Sequence, residues 1–339
     1  VAAHVLMQVS RTLKHCLGVR CFMKVCTLIP AFKPKYLPEL LTALCTQTVK
    51  PARVIFSDDS PGGVYRTALN AEPMQKMLSQ LNVDVVEGPR AGRLANMRNL
   101  LDVWGGSTER AHFLFDDDII YPTFYQRHLG VHQAASIACS ISKCWSATES
   151  GQPIGALSEP AQIVWDKNRI AMLGASSVFA SVVPTVNNWF GELSNAVFDH
   201  SLHGIIHDLR LGGNLYVGLE DVGSFLRASL DKPLCFLNEP LGYFRTNPYQ
   251  NSADVYCKEV KTAFFAWFGI ALGGRQLGLL TQAQVLESFR FNTSGSLYAR
   301  YLKEADMAPF CELVPRMIAG ESAAEDLFLD AWNAYVVGR

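Results

Sequence analysis

The chain has 339 residues, of which 49% are hydrophobic and 18% charged. That is enough apolar material for one large α/β domain with an appendage, and it excludes a disordered chain. Lys and Arg number 30 against 31 Asp and Glu, a net charge of -1, so bulk charge excludes nucleic acid as an expected partner.

Residues 1–22 carry Arg11, Lys14 and Arg20 among apolar residues. The apolar run is too short and broken for a signal peptide or a membrane span, so an N-terminal amphipathic helix is expected. Residues 23–29 are apolar, rich in β-formers and followed by Pro30, which reads as a buried first strand. Leu37, Leu40, Leu41 and Leu44 behind Pro38 give a helix with one apolar face. Residues 53–56 form a second strand that stops at the polar turn Ser57-Asp58-Asp59-Ser60-Pro61-Gly62-Gly63. A helix over residues 65–81, a third strand over 83–86 and a helix over 92–104 follow. A fourth strand over 112–115 ends at Asp116-Asp117-Asp118, and Pro122 opens another helix.

Strands alternating with helices predict a mostly parallel sheet flanked by helices, in which ligands sit beyond the carboxyl ends of the strands. Two of the strand ends that meet this rule are acidic, at Asp58-Asp59 and at Asp116-Asp117-Asp118. Residues 146–216 give a mixed pattern, 218–226 a loop entering a helix, and everything beyond 254 a helical region. The apolar stretch 263–274 is too short to cross a bilayer and reads as a buried or interfacial helix.

Adjacent carboxylates after an apolar strand repel one another and need solvent, hydrogen bonds or a cation. A hard ion, Mn²⁺ or Mg²⁺, suits oxygen ligands and would neutralise charge on a diphosphate leaving group. Nine cysteines without a C-x-x-C pair fit no zinc framework. They read as reduced, buried thiols of a cytoplasmic chain, with peripheral contact at the inner face of a membrane as a variant.

The run FLFDDDIIYP resembles the DxD element of glycosyltransferase family 2, which has the GT-A fold. The resemblance extends in family order. CTLIPAFKPKYLPELLTALCTQTVKPARVIFSDDSPGG is similar to the first strand–helix–strand, and GPRAGRLANMRNLL to the helix before the DxD strand. GLEDVGSFLRA is similar to the downstream ED element, and FRTNPYQNS to the segment after it. It implies a GT-A nucleotide-diphospho-sugar transferase fold over residues 23–253, with a C-terminal helical appendage over 254–339.

It also implies roles. Asp116 and Asp118 would bind the metal, Asp118 directly, with Asp116 and the variable Asp117 near the nucleotide. Asp58 or Asp59 would read the base, with Pro30 and Ala31 as the wall against which it lies. Arg93 or Arg98 would approach the diphosphate or base, and Arg245 would clamp phosphate. In the ED pair, Asp221 would be the base that takes the acceptor proton and Glu220 would orient the acceptor. Asn247 stands where many relatives carry a histidine, which puts a third protein metal ligand in doubt. The expected partners are a nucleotide-diphosphate sugar, a UDP-sugar first, and a saccharide or lipid-linked acceptor in polysaccharide or glycoconjugate synthesis. A homo-oligomer is left open. The reading from another class is a catalytically silent sugar-nucleotide-binding or scaffolding subunit of the same fold.

Two further patterns stand out. His200, His203 and His207 lie on a helical stripe that would suit zinc, an acceptor pocket or a plain polar face. Trp189-Phe190 would either stack on a sugar ring or pack in the core.

Overall fold

A computed structural model describes residues 23–246 and 254–337. The expected N-terminal helix over 1–22, Cys16, Cys21 and Asn247 lie outside the described residues. The chain divides into two compact units. The first comprises Val1–Leu173, Phe190–His207 and Ala228–Asn247, and the second Gly174–Trp189, Asp208–Arg227 and Pro248–Arg339.

The first unit opens with β1 (Val25–Ala31), α1 (Leu37–Cys45) and β2 (Arg53–Asp58). Helices α2 (Val64–Leu69) and α3 (Glu72–Leu78) lead to β3 (Val83–Glu87), and α4 (Arg93–Trp104) leads to β4 (Arg110–Phe113). β5 (Ile119–Ile120), α5 (Phe124–Ala134), β6 (Cys139–Ala147), β7 (Pro153–Ala156) and β8 (Ile170–Leu173) follow. The second unit then takes α6 (Ala175–Val182), and the first resumes with β9 (Ala196–Asp199) and α7 (Leu202–His207). In the second unit, the hairpin β10 (Arg210–Leu211) and β11 (Asn214–Leu215) precedes α8 (Glu220–Asp231). β12 (Leu234–Arg245) returns to the sheet. The second unit then holds α9 (Lys258–Gln276), α10 (Gln282–Ser294), α11 (Ser296–Tyr301), α12 (Ala308–Ile318) and α13 (Ser322–Val337).

The ten-stranded sheet runs β3-β2-β1-β4-β9-β6-β12-β5, with β7 on β6 and β8 on β12. β1 pairs in parallel with β2 and β4, β2 with β3, and β6 with β12, whereas β9, β5, β7 and β8 pair antiparallel. Six strands therefore share one direction, and the fold is the expected α/β architecture. The apolar face of α1 lies as anticipated, with Leu37, Leu40, Leu41 and Leu44 all buried. Each such side chain contributes about 2 kcal/mol.

Four expectations shift. β2 runs on through Ser57 to Asp58, both paired with β1 and β3 where a polar turn was expected. β1 continues through Pro30 to Ala31. The missing N–H of Pro30 lies on the side of β4, whose ladder on β1 ends at Leu28–Phe113, so no strand bond is lost. The helix anticipated over 65–81 breaks between Leu69 and Glu72, because Pro73 has no N–H to bond back and can only sit in a first turn. β4 stops two residues early, since the amide of Phe115 donates to Ser194 Oγ (3.0 Å) instead of a strand.

In the second unit α9 is the buried alternative of the two anticipated for residues 263–274. Phe264, Phe265 and Phe268 pack on Tyr301, Phe289, Phe310 and Phe328. Gly212 and Gly213 both have positive φ, and a Cβ on Gly212 would lie 2.6 Å from the Gly273 carbonyl, so the β10–β11 turn is also a close approach to α9. Among the described residues, no helix is long and apolar enough to cross a membrane.

Candidate functional site

The carboxyl ends of β1, β2 and β4 meet in the first unit. Asp59 N donates to the Ala31 carbonyl at 2.9 Å, joining the end of β2 to the end of β1. Pro30 and Ala31 are both buried there. Asp58 is committed to its own turn: Oδ1 accepts from the Ser60 amide (3.0 Å) and hydroxyl, and Oδ2 from the Arg66 amide (3.0 Å). Asp59 Oδ1 accepts from the Arg90 amide. Of the two candidates for reading a base, Asp58 thus has both oxygens occupied by main-chain and turn donors, whereas the Arg90 amide engages one oxygen of Asp59.

Behind β4, Asp116 Oδ2 accepts from the amides of Phe32 (2.7 Å) and Lys33 (2.6 Å), which follow β1. Burial nevertheless pushes its pKa up to about 7, against those amides. Asp117 is also raised by burial, opposed by the charges of Lys33 and Arg245. Asp118 is only 5% exposed and is raised well above the carboxylate range. Its burial acts first, then the charge of Asp117, with Glu192 adding to it. The Ser194 hydroxyl and the Arg245 main-chain amide both bond to its carboxylate and oppose that rise.

Asp118 and Glu192 line a cavity of about 10 Å³ with Ser194, Asn195, Cys144 and Tyr243. Such a volume is about one water's worth of space. The Cys144 thiol, pushed up to about 12 by burial and then by Asp118 and Glu192, offers no thiolate. The donor set is therefore oxygen, negatively charged and desolvated, which fits a hard divalent cation such as Mn²⁺ or Mg²⁺. The three aspartates are not gathered into one cluster, because the one close group of three metal-ligating side chains among the described residues lies elsewhere. Hard ions that take one or two carboxylates and complete their shell with phosphate oxygens need no such cluster.

Arg245 departs from the role expected of it. Its side chain is 1% exposed, and its donors bond to protein: Nε to the Asp117 carbonyl (2.9 Å), Nη1 to the Glu149 carbonyl (2.6 Å), and Nη2 to Glu39 and to the Tyr243 hydroxyl (3.2 Å). The guanidinium also lies 4.3 Å from the Tyr36 ring centroid. It is a buried prop under the acidic turn, with its donors turned inward and not toward a phosphate. Arg98 is likewise engaged, through Nε to the Ile206 carbonyl (3.1 Å) and Nη2 to the His207 carbonyl (3.4 Å). Arg93 is exposed at the start of α4, with its guanidinium 6.0 Å from the Phe115 ring centroid.

Sequence reading missed the support behind Asp118. His112, fully buried on β4, joins Tyr125 to the Ser194 carbonyl. The partners assign the tautomer: Nε2–H donates to Ser194 O (2.9 Å), and Nδ1 accepts from the Tyr125 hydroxyl (2.9 Å), which accepts in turn from Thr27. Burial lowers His112 to about 4, so the imidazole is neutral. The chain Thr27–Tyr125–His112 ends at the main-chain carbonyl of Ser194, the residue whose hydroxyl acts on Asp118. A lone histidine among apolar strand residues carries no local sign of this role.

In the second unit, Glu220 Oε1 accepts from the Gly218 amide (2.7 Å), and the residue is buried at the start of α8. Glu220 is thus tied into the helix start that the resemblance would have orient an acceptor. Asp221 is half-buried, and its Oδ2 accepts from Asn188 Nδ2 at 2.8 Å. The aromatic candidates pack inward: Trp189 is 2% exposed with Nε1 on Ser181 Oγ (3.2 Å), and Phe190 is 1% exposed with its ring 6.2 Å from that of Phe236. Neither presents a ring face to a sugar.

No protein-family model matches the chain, and no curated protein matches it. Solved structures do. S. aureus TarS residues 1–349, in complex with UDP-GlcNAc, is 14% identical over 94% of this chain and 93% of that one, with a TM-score of 0.50. A further S. aureus TarS structure is 16% identical over 93% of this chain, with a TM-score of 0.53, and this chain spans 54% of that one. The mannosyltransferase PcManGT from Pyrobaculum calidifontis, in complex with GDP-Man and Mn²⁺, is 14% identical over 99% of this chain and 95% of that one, with a TM-score of 0.50. The fold is that of the GT-A nucleotide-sugar glycosyltransferases.

Proposed function

We propose that this chain is a divalent-cation-dependent, inverting glycosyltransferase that moves a sugar from a nucleotide-diphosphate donor to an acceptor hydroxyl. The observation that carries the reading is the buried acidic turn behind β4. Asp116 is fastened to the amides after β1, and Asp118 sits in a desolvated, anionic corner with Glu192. Buried carboxylates so costly to ionise are stabilised by positive charge, and a nucleotide diphosphate bound through a cation would supply the remaining oxygen ligands.

In this reading Asp118 and Asp116 hold Mn²⁺ or Mg²⁺, which when bound neutralises charge on the departing diphosphate. Asp59, with Pro30 and Ala31, receives the base, and Arg93 approaches the anionic part of the donor. Arg245 acts by holding the Asp117 main chain. The acceptor oxygen attacks the anomeric carbon, the bond from that carbon to the diphosphate oxygen breaks, and Asp221 takes the acceptor proton. The nucleoside diphosphate leaves, and no covalent enzyme intermediate forms. Asn188 orients the Asp221 carboxylate, and Glu220 stands beside it in the helix start. A UDP-sugar is the first donor to try, in keeping with a hexosyl transfer onto a saccharide or lipid-linked acceptor of polysaccharide or glycoconjugate synthesis.

The test is a thermal-shift screen of nucleoside diphosphates with and without Mn²⁺, followed by nucleotide-sugar turnover. A cation-dependent shift with turnover supports the reading. A shift with no hydrolysis or transfer across a broad acceptor panel favours the silent subunit instead, and no shift with any nucleotide rejects both.

A further inference from the structure

We propose that Asp102, His203 and His207 form a second metal site, for a borderline transition ion with Zn²⁺ first, on the outer face of α4 and α7. The two histidines stand four residues apart on α7, so they share one face. Both Nε2 atoms meet the same Asp102 oxygen, Oδ1, at 3.3 Å from His203 and 3.0 Å from His207. The imidazoles stack with centroids 4.5 Å apart, and all three ligand atoms lie within 4.8 Å of one another. A tetrahedral ion with bonds of about 2.0–2.2 Å keeps its ligand atoms about 3.3–3.6 Å apart. The two separations from Asp102, 3.3 and 3.0 Å, therefore lie within a few tenths of an ångström of that range.

The backbone holds this arrangement in place. Arg98, one turn before Asp102 on α4, donates to the carbonyls of Ile206 and His207 and so fixes the C-terminal end of α7. Asp199, gripped by Lys232 at 2.7 Å, accepts from the Ser201 amide at 3.0 Å and fixes the other end. The side chains remain 59%, 45% and 33% exposed for Asp102, His203 and His207, so an ion reaches them from solvent. His200, the third imidazole of the stripe, takes no part.

Two imidazoles and one carboxylate suit zinc, with a fourth position open to water, whereas the all-oxygen acidic turn suits Mn²⁺ or Mg²⁺. The two sites are thus separated by ligand chemistry, and this proposal does not rest on the transferase reading.

The test is calorimetric titration of the metal-free chain with ZnCl₂, without nucleotide, beside the visible spectrum of the Co²⁺ form. Wild type should take up a saturable equivalent and show the intense bands of four-coordinate Co²⁺. Asp102→Asn and His203→Ala, both at exposed positions, should weaken Zn²⁺ at least about tenfold and lose those bands. Asp118→Asn should retain both. Absence of saturable binding in wild type, wild-type affinity in Asp102→Asn and His203→Ala, or loss in Asp118→Asn would each overturn the proposal without touching the transferase reading.

Discussion

Arg245 reaches across 128 residues of sequence to donate from Nε to the main-chain carbonyl of Asp117 at 2.9 Å. With Nη1 on the Glu149 carbonyl, the guanidinium satisfies two carbonyls from within. Removing it as Arg245→Met leaves both without their donor, at about 1–3 kcal/mol each. A stability loss of about 3 kcal/mol in urea unfolding is expected, with weaker cation-dependent nucleotide binding. Arg245→Lys should recover little, because one ammonium cannot span that fork of acceptors. An unchanged urea midpoint in Arg245→Met would contradict the role.

Asp118→Asn should move stability and function in opposite directions. Burial and the charges of Asp117 and Glu192 all disfavour its ionised form. The neutral amide should therefore raise Tm by about 1–2 °C in metal-free buffer, as about 1 kcal/mol does for a chain of this size. Cation-dependent nucleotide binding should be lost in the same variant. Calorimetric scans and a nucleotide titration with Mn²⁺ check the pair of outcomes.

Asp221→Asn should leave donor binding intact and lower kcat by about 10²–10⁴, since a proton acceptor alone is removed. Asn188→Leu, which removes the 2.8 Å bond to Asp221, should lower kcat by a smaller factor with donor KM unchanged. A loss of nucleotide affinity in Asp221→Asn equal to that in Asp118→Asn would contradict the division of roles.

Acid should destabilise the fold through His132. Burial, then the charge of Arg110, lowers its pKa from 6.5 to about 3. Its Nδ1 accepts from Arg110 Nε (2.9 Å), and Nε2 donates to the Val197 carbonyl (3.0 Å). The unfolded chain binds the proton first, so this contribution is complete above about pH 6.5 and falls as pH drops toward 3. Between pH 6.5 and 5 the loss is about 2 kcal/mol. Asp116 and Asp118, raised in the fold, act in the opposite sense, so the readout is the difference between wild type and His132→Gln. That difference should shrink by about 2 kcal/mol from pH 7 to 5; a constant difference would contradict the assignment.

Gly88→Ala should disturb the base-side turn. A Cβ there would lie 2.7 Å from Asp59 Oδ1 and 2.9 Å from the Asp58 carbonyl carbon and oxygen, so the turn must shift. A cost of about 1–3 kcal/mol is expected, together with weaker nucleotide affinity. Gly204→Ala, whose Cβ would meet nothing within 4 Å, is the control and should not lower stability.

The amino-acid order by itself determined the elements and the acidic strand ends. Apolar periodicity over residues 37–44, the apolar β-forming run 23–29 and the carboxylates at the end of β2 and just beyond β4 are local signals, readable because helix and strand periods are local. The buried aromatic helix α9 was legible in the same way, as one of two alternatives. Only the tertiary structure decided what each charged side chain faces. Arg93, Arg98 and Arg245 look alike as sequence, yet one is exposed, one caps α7 and one is sealed beneath the acidic turn. Asp102 meets His203 and His207 across a gap of about a hundred residues, with Oδ1–Nε2 distances of 3.3 and 3.0 Å. His112 likewise reaches Ser194 over 82 residues. Hydrogen-bond partners and burial come from chain segments brought together by the sheet order, and no local periodicity encodes that order.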